Sequence, residues 1–178
     1  MLSNIEMILL SLVNEKASYA YEIDKMLDEK NMRTWLKIGV ASVYQVLDRL
    51  ERKGYLECKK EREGKMPVRK RFFITDKGKE KLKSDVKDLL ASLESFYLDL
   101  NVGLKCSQLL TPLEIKECLD NRIQKSKSFL QDIKSDYERQ KFFLPLQERL
   151  IYKSLIKLRE TEKTLLEMLE EEYLKDKA

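Results

Sequence analysis

Apolar positions recur with the helical period over most of the chain and with a period of two over one short stretch. Ile5, Ile8, Leu9 and Leu12 share one face behind Ser3-x-x-Glu6, a capping box with Leu2 and Met7 at its hydrophobic-staple positions. They predict a first helix to about residue 14. A second helix over 19–30, N-capped by Ser18, turns Ala20, Ile23 and Leu27 inward. The connection over 31–38 holds the single tryptophan, Trp35, read as a core plug. A third helix from about residue 40 places Val43, Val46, Leu47 and Leu50 on one face and Ser42, Tyr44, Gln45, Arg49 and Arg52 on the other. Gly54 stands where a left-handed C-terminal cap belongs. Residues 55–61 and 68–74 then read as two strands around a turn at 64–67. Alternation puts Phe72 and Ile74 on the core side and Arg69, Arg71 and Phe73 on the other, with Lys65 at the turn. Phe73 therefore needs a cover, from the second half of the chain or a partner subunit.

Thr75 caps the next helix, with Asp76 in its first turn. The stripe Leu82, Val86, Leu89, Leu93, Phe96, Leu100, Leu104 is spaced like a coiled-coil seam. One helix carrying all of it would span about 28 residues, some 42 Å. That exceeds what a small domain covers and predicts a dimer interface on Leu82, Val86, Leu89, Leu93, Phe96 and Leu100. Residues 105–110 break the pattern. Thr111-Pro-Leu-Glu114 is a capping box with proline at the first helical position. The helix it opens runs to about residue 140 and carries Ile115, Leu119, Ile123, Leu130, Ile133 and Tyr137 on one face. After a break at 142–145, a last helix over 146–174 carries Ile151, Leu155, Leu158, Leu165 and Leu169, with Glu162 interrupting the stripe. The fold class predicted is mainly α. A winged helix-turn-helix with a two-stranded β wing (1–84) precedes a long-helix dimerisation domain (85–178).

Composition removes several function classes. There is no histidine, so the commonest general base and metal ligand is missing. No phosphate-binding glycine-rich loop or metal-ligand cluster is present, so neither catalytic residues, a metal nor a cofactor is expected. Cys58, Cys106 and Cys118 have no Cys-x-x-Cys spacing, and their odd number argues against a disulfide framework. No apolar run approaches membrane-spanning length, and Glu6 interrupts the N-terminal run, so no membrane contact, no signal peptide and cytoplasmic residence are expected. The net charge of +4 is uneven: residues 1–84 hold 19 basic and 13 acidic side chains, and residues 57–71 alone hold seven and three.

A helix with a polar donor face followed by a basic hairpin is the outline of a DNA-binding winged helix, whose helix fits the major groove. The residues also resemble a known family. SYAYEI at 18–23, SVYQVLDRLE at 42–51, KGYL at 53–56 and RKRFFITDKG at 69–78 are similar, in order and spacing, to motifs of PadR-type bacterial transcriptional regulators over about residues 5–85. Ala20 and Ala41 stand where that family usually has glycine, Arg71 where it has tyrosine, Phe73 where it has arginine, and Gly39 where a serine or threonine caps the recognition helix.

The resemblance implies that Ser42, Tyr44 and Gln45 approach DNA, with Arg49 one turn on as a phosphate contact, and that Tyr21 and Glu22 are structural. Lys65, Arg69 and Arg71 complete the expected DNA-binding set, with Lys65 nearest the duplex. The C-terminal half resembles the longer members of the family, in which a helical domain carries the dimer interface. The expected partners are double-stranded DNA with an inverted-repeat operator and a second copy of the chain. A small aromatic effector, implied by the resemblance, would meet Trp35, Phe73, Phe96 and Tyr97 near the domain junction. The function expected is a homodimeric repressor relieved by that effector. The competing reading is a helical adaptor whose winged helix binds no DNA.

Overall fold

The computed structural model describes residues 1–61, 69–93, 95 and 97–175. Two compact units divide the chain, Met1–Ser95 and Phe96–Ala178, later than the 84/85 boundary expected.

The first unit runs α1 (Asn4–Glu15), β1 (Ser18–Tyr19), α2 (Ala20–Glu29), a 3-10 turn (Met32–Thr34), α3 (Val40–Arg52), β2 (Leu56–Glu61), β3 (Arg69–Ile74) and α4 (Asp76–Ala91). The expected capping box opens α1: Ser3 Oγ accepts from Glu6 N at 3.3 Å and Glu6 Oε2 accepts from Ser3 N at 2.9 Å. Ser18 does not cap α2. It is fully buried and lies in β1, paired with Phe72. The cap residue is Tyr19, whose amide donates to Glu22 Oε2 at 2.9 Å. The third strand was not legible in the sequence, because two residues give no periodicity. The sheet order is β1-β3-β2, antiparallel throughout.

At the end of α3, Gly54 has φ +72°. Its amide donates to Glu51 O at 2.9 Å and that of Tyr55 to Leu50 O at 3.0 Å, a Schellman closure. Thr75 Oγ1 accepts from Gly78 N at 3.0 Å to start α4. A β-carbon at Gly78 would lie 2.2 Å from the Tyr55 carbonyl oxygen, so only glycine lets α4 pass this close to the strand entrance. Leu9, Leu10, Leu12, Ile23, Leu27, Leu47 and Leu50 form the core with Phe72.

The expected 28-residue helix is instead two. The amide and hydroxyl of Ser92 both donate to Leu89 O, Ser92 turns extended at ψ 148°, and α4 ends. The helix resumes as α5 (Asp99–Cys106). The stripe is therefore carried by two helices. Leu82 and Leu89 pack against the first core, Leu100 packs against the second, Val86 is exposed and Leu93 is 97% exposed. Phe96 lies outside the described residues.

The second unit comprises α5, a 3-10 turn (Ser107–Leu109), α6 (Pro112–Gln140) and α7 (Leu146–Lys175). The Thr111 box is formed, with Glu114 N donating to Thr111 Oγ1 at 3.3 Å and Thr111 N to Glu114 Oε2 at 2.7 Å. α6 and α7 form an antiparallel hairpin tied by Lys116–Glu170 (3.0 Å), Arg122–Glu162 (3.1 Å) and Lys134–Glu160 (2.7 Å). Leu166 is fully buried here and Leu158 is exposed. Glu162, which interrupts the apolar stripe of α7, is 23% exposed and is held by Arg122 of α6 and by Arg159.

Candidate nucleic-acid interface

The apolar face of α3 is consumed by the core, which fixes the helix and turns Tyr44, Gln45, Asp48, Arg49 and Arg52 outward, with Ser42 half-buried beside them. Two polar clamps hold it in that rotation. The first is Glu6, whose side chain is only 5% exposed. It accepts from Arg49 Nε at 3.1 Å and Lys53 Nζ at 2.7 Å. Burial alone would raise the Glu6 carboxyl, but the bonds from Lys53 and the Ser3 amide and the charge of Arg49 outweigh it and hold it below the ordinary value. Arg49, expected as a phosphate contact, is thus anchored from behind while 47% of its side chain stays exposed.

The second clamp is Lys70, on β3. Its ammonium lies 3.1 Å from Asp48 Oδ1 and 3.0 Å from Glu51 Oε2. These bonds, that to Glu51 first, push the Lys70 ammonium up. The clamp ties strand to helix and offsets part of the negative charge of the two carboxylates on this side of α3, which would otherwise repel phosphate. Glu51 also accepts from the Cys58 thiol at 2.9 Å, which raises the thiol and keeps it protonated.

Beside α3 lies a concavity of about 390 Å³ lined by Tyr19, Tyr21, Tyr44, Arg69 and Lys70 among others. Tyr19 and Tyr21 stack with centroids 5.7 Å apart. Arg69 covers the Tyr21 ring at 5.4 Å and Arg71 the Tyr19 ring at 4.7 Å. Arg71 is further engaged by the Tyr19 hydroxyl (3.3 Å) and by Glu61 (3.5 Å). These contacts tie Arg71 to the sheet while 38% of its side chain stays exposed. The antiparallel register explains the pairing: Tyr19 faces Arg71, and Tyr21 lies two residues after the one as Arg69 lies two residues before the other. That matched spacing was the available signal for Tyr21, which sequence reasoning treated as structural. Exposed Tyr21 and Tyr44 line the same concavity.

Lys65, with the rest of residues 62–68, lies outside the described residues. Lys59, on the adjacent strand, sits 5.1 Å over the Phe73 ring. Trp35 packs against the first core, as read, and Tyr97 is 91% exposed. Among the described residues no group of acidic or cysteine side chains could hold a metal ion, and no helix is long and apolar enough to cross a membrane.

Residues 9–84 match the model of the transcriptional regulator PadR-like family, a family of regulators rather than enzymes. No curated protein matches the chain. The fold is shared with solved structures. Bacillus subtilis PadR in complex with operator DNA superposes with a TM-score of 0.79 at 17% identity, over 96% of this chain and 99% of that one. The same protein in complex with p-coumaric acid gives 0.77 at 16%, over 95% and 98%. The Vibrio cholerae virulence activator AphA gives 0.74 at 17%, over 98% and 100%.

Proposed function

We propose that this chain, a PadR-type transcriptional regulator by the match of residues 9–84, acts in the cytoplasm as a homodimeric repressor that reads an inverted-repeat operator and is released by a small effector. The observation that carries the reading is the outward face of α3. Tyr44 and Gln45, with Ser42 beside them, project from a helix whose rotation Glu6 and Lys70 fix. Gln45 offers a bidentate pair to adenine, worth about 1–3 kcal/mol of discrimination. Arg49, Arg69 and Lys65 supply phosphate contacts and set affinity without sequence preference. The resemblance to a relative solved on operator DNA favours this reading over the adaptor.

Dimerisation has separate support in the second unit. The α6–α7 hairpin buries one stripe and leaves apolar side chains beyond it uncovered. Leu109, Leu113, Phe142 and Phe143 are left exposed there. A two-fold dimer presents two copies of α3 with half-site centres about 34–36 Å, or a multiple, apart.

The test is operator and random-DNA affinity measured across salt. Gln45→Ala lowers operator affinity by about tenfold and leaves random-DNA binding unchanged. Lys65→Ala weakens both and reduces the salt slope by about 1 per contact. Sedimentation at low micromolar concentration gives twice the chain mass of 21.1 kDa. A wild-type protein that binds no DNA at low salt returns the adaptor reading.

A further inference from the structure

Helices α1, α4 and α6 each start on a hydroxyl that accepts from the first turn, at Ser3, Thr75 and Thr111. Helix α3 starts on Gly39, which has no side chain to offer, and its first turn holds no acidic residue. Its opening rests on the backbone, with Ser42 N donating to Gly39 O at 3.0 Å. A start of this kind leaves amides without a side-chain acceptor and is held by what surrounds it. Yet the reading face begins there. Ser42, Tyr44 and Gln45 lie within six residues of Gly39, whereas the Glu6 and Lys70 clamps grip Asp48, Arg49, Glu51 and Lys53.

Arg33, in the 3-10 turn before α3, holds this entry with a three-way fork. Its Nε donates to Asp28 Oδ1 at 2.6 Å, its Nη2 donates to Asp24 Oδ1, and its Nη1 donates to the carbonyl of Ile38, the residue before the cap. Asp24 and Asp28 stand one turn apart on α2. Two carboxylates of one helix thus press the guanidinium against the backbone that opens the next. Only 26% of the Arg33 side chain is exposed. The turn that carries it is fixed in turn by the first core, in which Met32 and Leu36 are buried and against which Trp35 and Ile38 pack. A lysine here keeps the charge, but its compact ammonium lacks the spread of a planar fork and cannot fill all three places.

We propose that Arg33 is a positioning residue for base reading: by fixing the Ile38 carbonyl it sets where α3 begins, and so where Ser42, Tyr44 and Gln45 meet the bases. The anchoring stands on the geometry; its consequence for DNA rests on the regulatory reading above.

The test uses the full chain, a duplex that the wild-type chain selects from a random-sequence pool, and the unselected pool. Arg33→Lys lowers the selected-to-pool affinity ratio about fivefold, the worth of one helix cap. It leaves pool binding within about twofold, because the charge that phosphates sense is kept. Amide exchange at residues 40–43 speeds up about fivefold, while that at 48–53 stays within about twofold. Gly39→Ser supplies the missing hydroxyl. The φ of −93° and ψ of 158° at this position suit serine, and the atom nearest its β-carbon is Ser42 Oγ at 4.0 Å. Added to Arg33→Lys, it restores at least half of the lost ratio and slows the exchange again. Asp28→Ala, at a side chain 62% exposed, loosens the same fork and gives a smaller change in the same direction even where Arg33→Lys does not fold. A lower denaturation midpoint with an unchanged ratio overturns the proposal, since Arg33 then only stabilises. So does unchanged exchange at 40–43. A wild-type chain that selects no duplex overturns the regulatory reading and the base-reading role with it; faster exchange at 40–43 in Arg33→Lys then keeps Arg33 as the anchor of α3.

Discussion

The winged-helix unit and the helical unit solve the same problem with different success. In the first, leucines from α1, α2 and α3 meet Phe72 of the sheet around one core, with Leu82 and Leu89 of α4 packed against it. In the second, two helices of 29 and 30 residues bury Ile115, Leu119, Ile123, Leu130, Ile133 and Leu166, with Leu100 and Tyr173 at the edge. Three packed layers of helix and sheet can cover one another within a chain; a helical hairpin cannot. The first unit is therefore equipped to stand alone, and the second to be completed by something else.

Substitutions can break or sharpen that contrast. The largest effect belongs to the first core. Leu47→Ala, at a fully buried position, costs about 3 kcal/mol in chemical denaturation, independent of protein concentration. A cost below about 1 kcal/mol would mean that this unit is no better filled than the other.

Next comes the Glu6 clamp. Glu6→Gln removes charge-assisted bonds to Arg49 and Lys53 and costs about 2 kcal/mol near neutral pH. The folded-state carboxyl is lowered from its ordinary value of 4.5. Its stabilisation is thus fully present above that value and lost as pH falls through the lower folded one. Denaturation from pH 7 down to 3 should show wild type and variant converging on the acid side. Parallel curves would remove Glu6 from the account.

The smallest effect lies in the second unit. Thr111→Ala removes the side-chain cap of α6 and costs about 1 kcal/mol. Since the hairpin has little core to share that loss, fraying should appear as faster amide exchange in the first turn of α6. Unchanged exchange there would show the helix start held by packing instead.

The exposed face of α3 was legible in the sequence, because a period of 3.6 separates Val43, Val46, Leu47 and Leu50 from Ser42, Tyr44 and Gln45 whatever the helix packs on. Arg49 and Arg71 were legible as cations but not as engaged ones. Their partners, Glu6 and Glu61 with Tyr19, lie on other elements.

The division follows the range of the interactions. The starts of α1, α4 and α6 and the stop of α3 are closed by hydrogen bonds within five residues, at Ser3, Thr75, Thr111 and Gly54. Such bonds are written in adjacent residues and form wherever the chain is placed. The strand at Ser18, the covering of Phe73 by Lys59, the splitting of the 82–104 stripe between two cores, and the pairing of Arg122 with Glu162 depend on segments brought together from a distance. Only the folded chain decides which of its equally apolar stripes find a wall and which remain open.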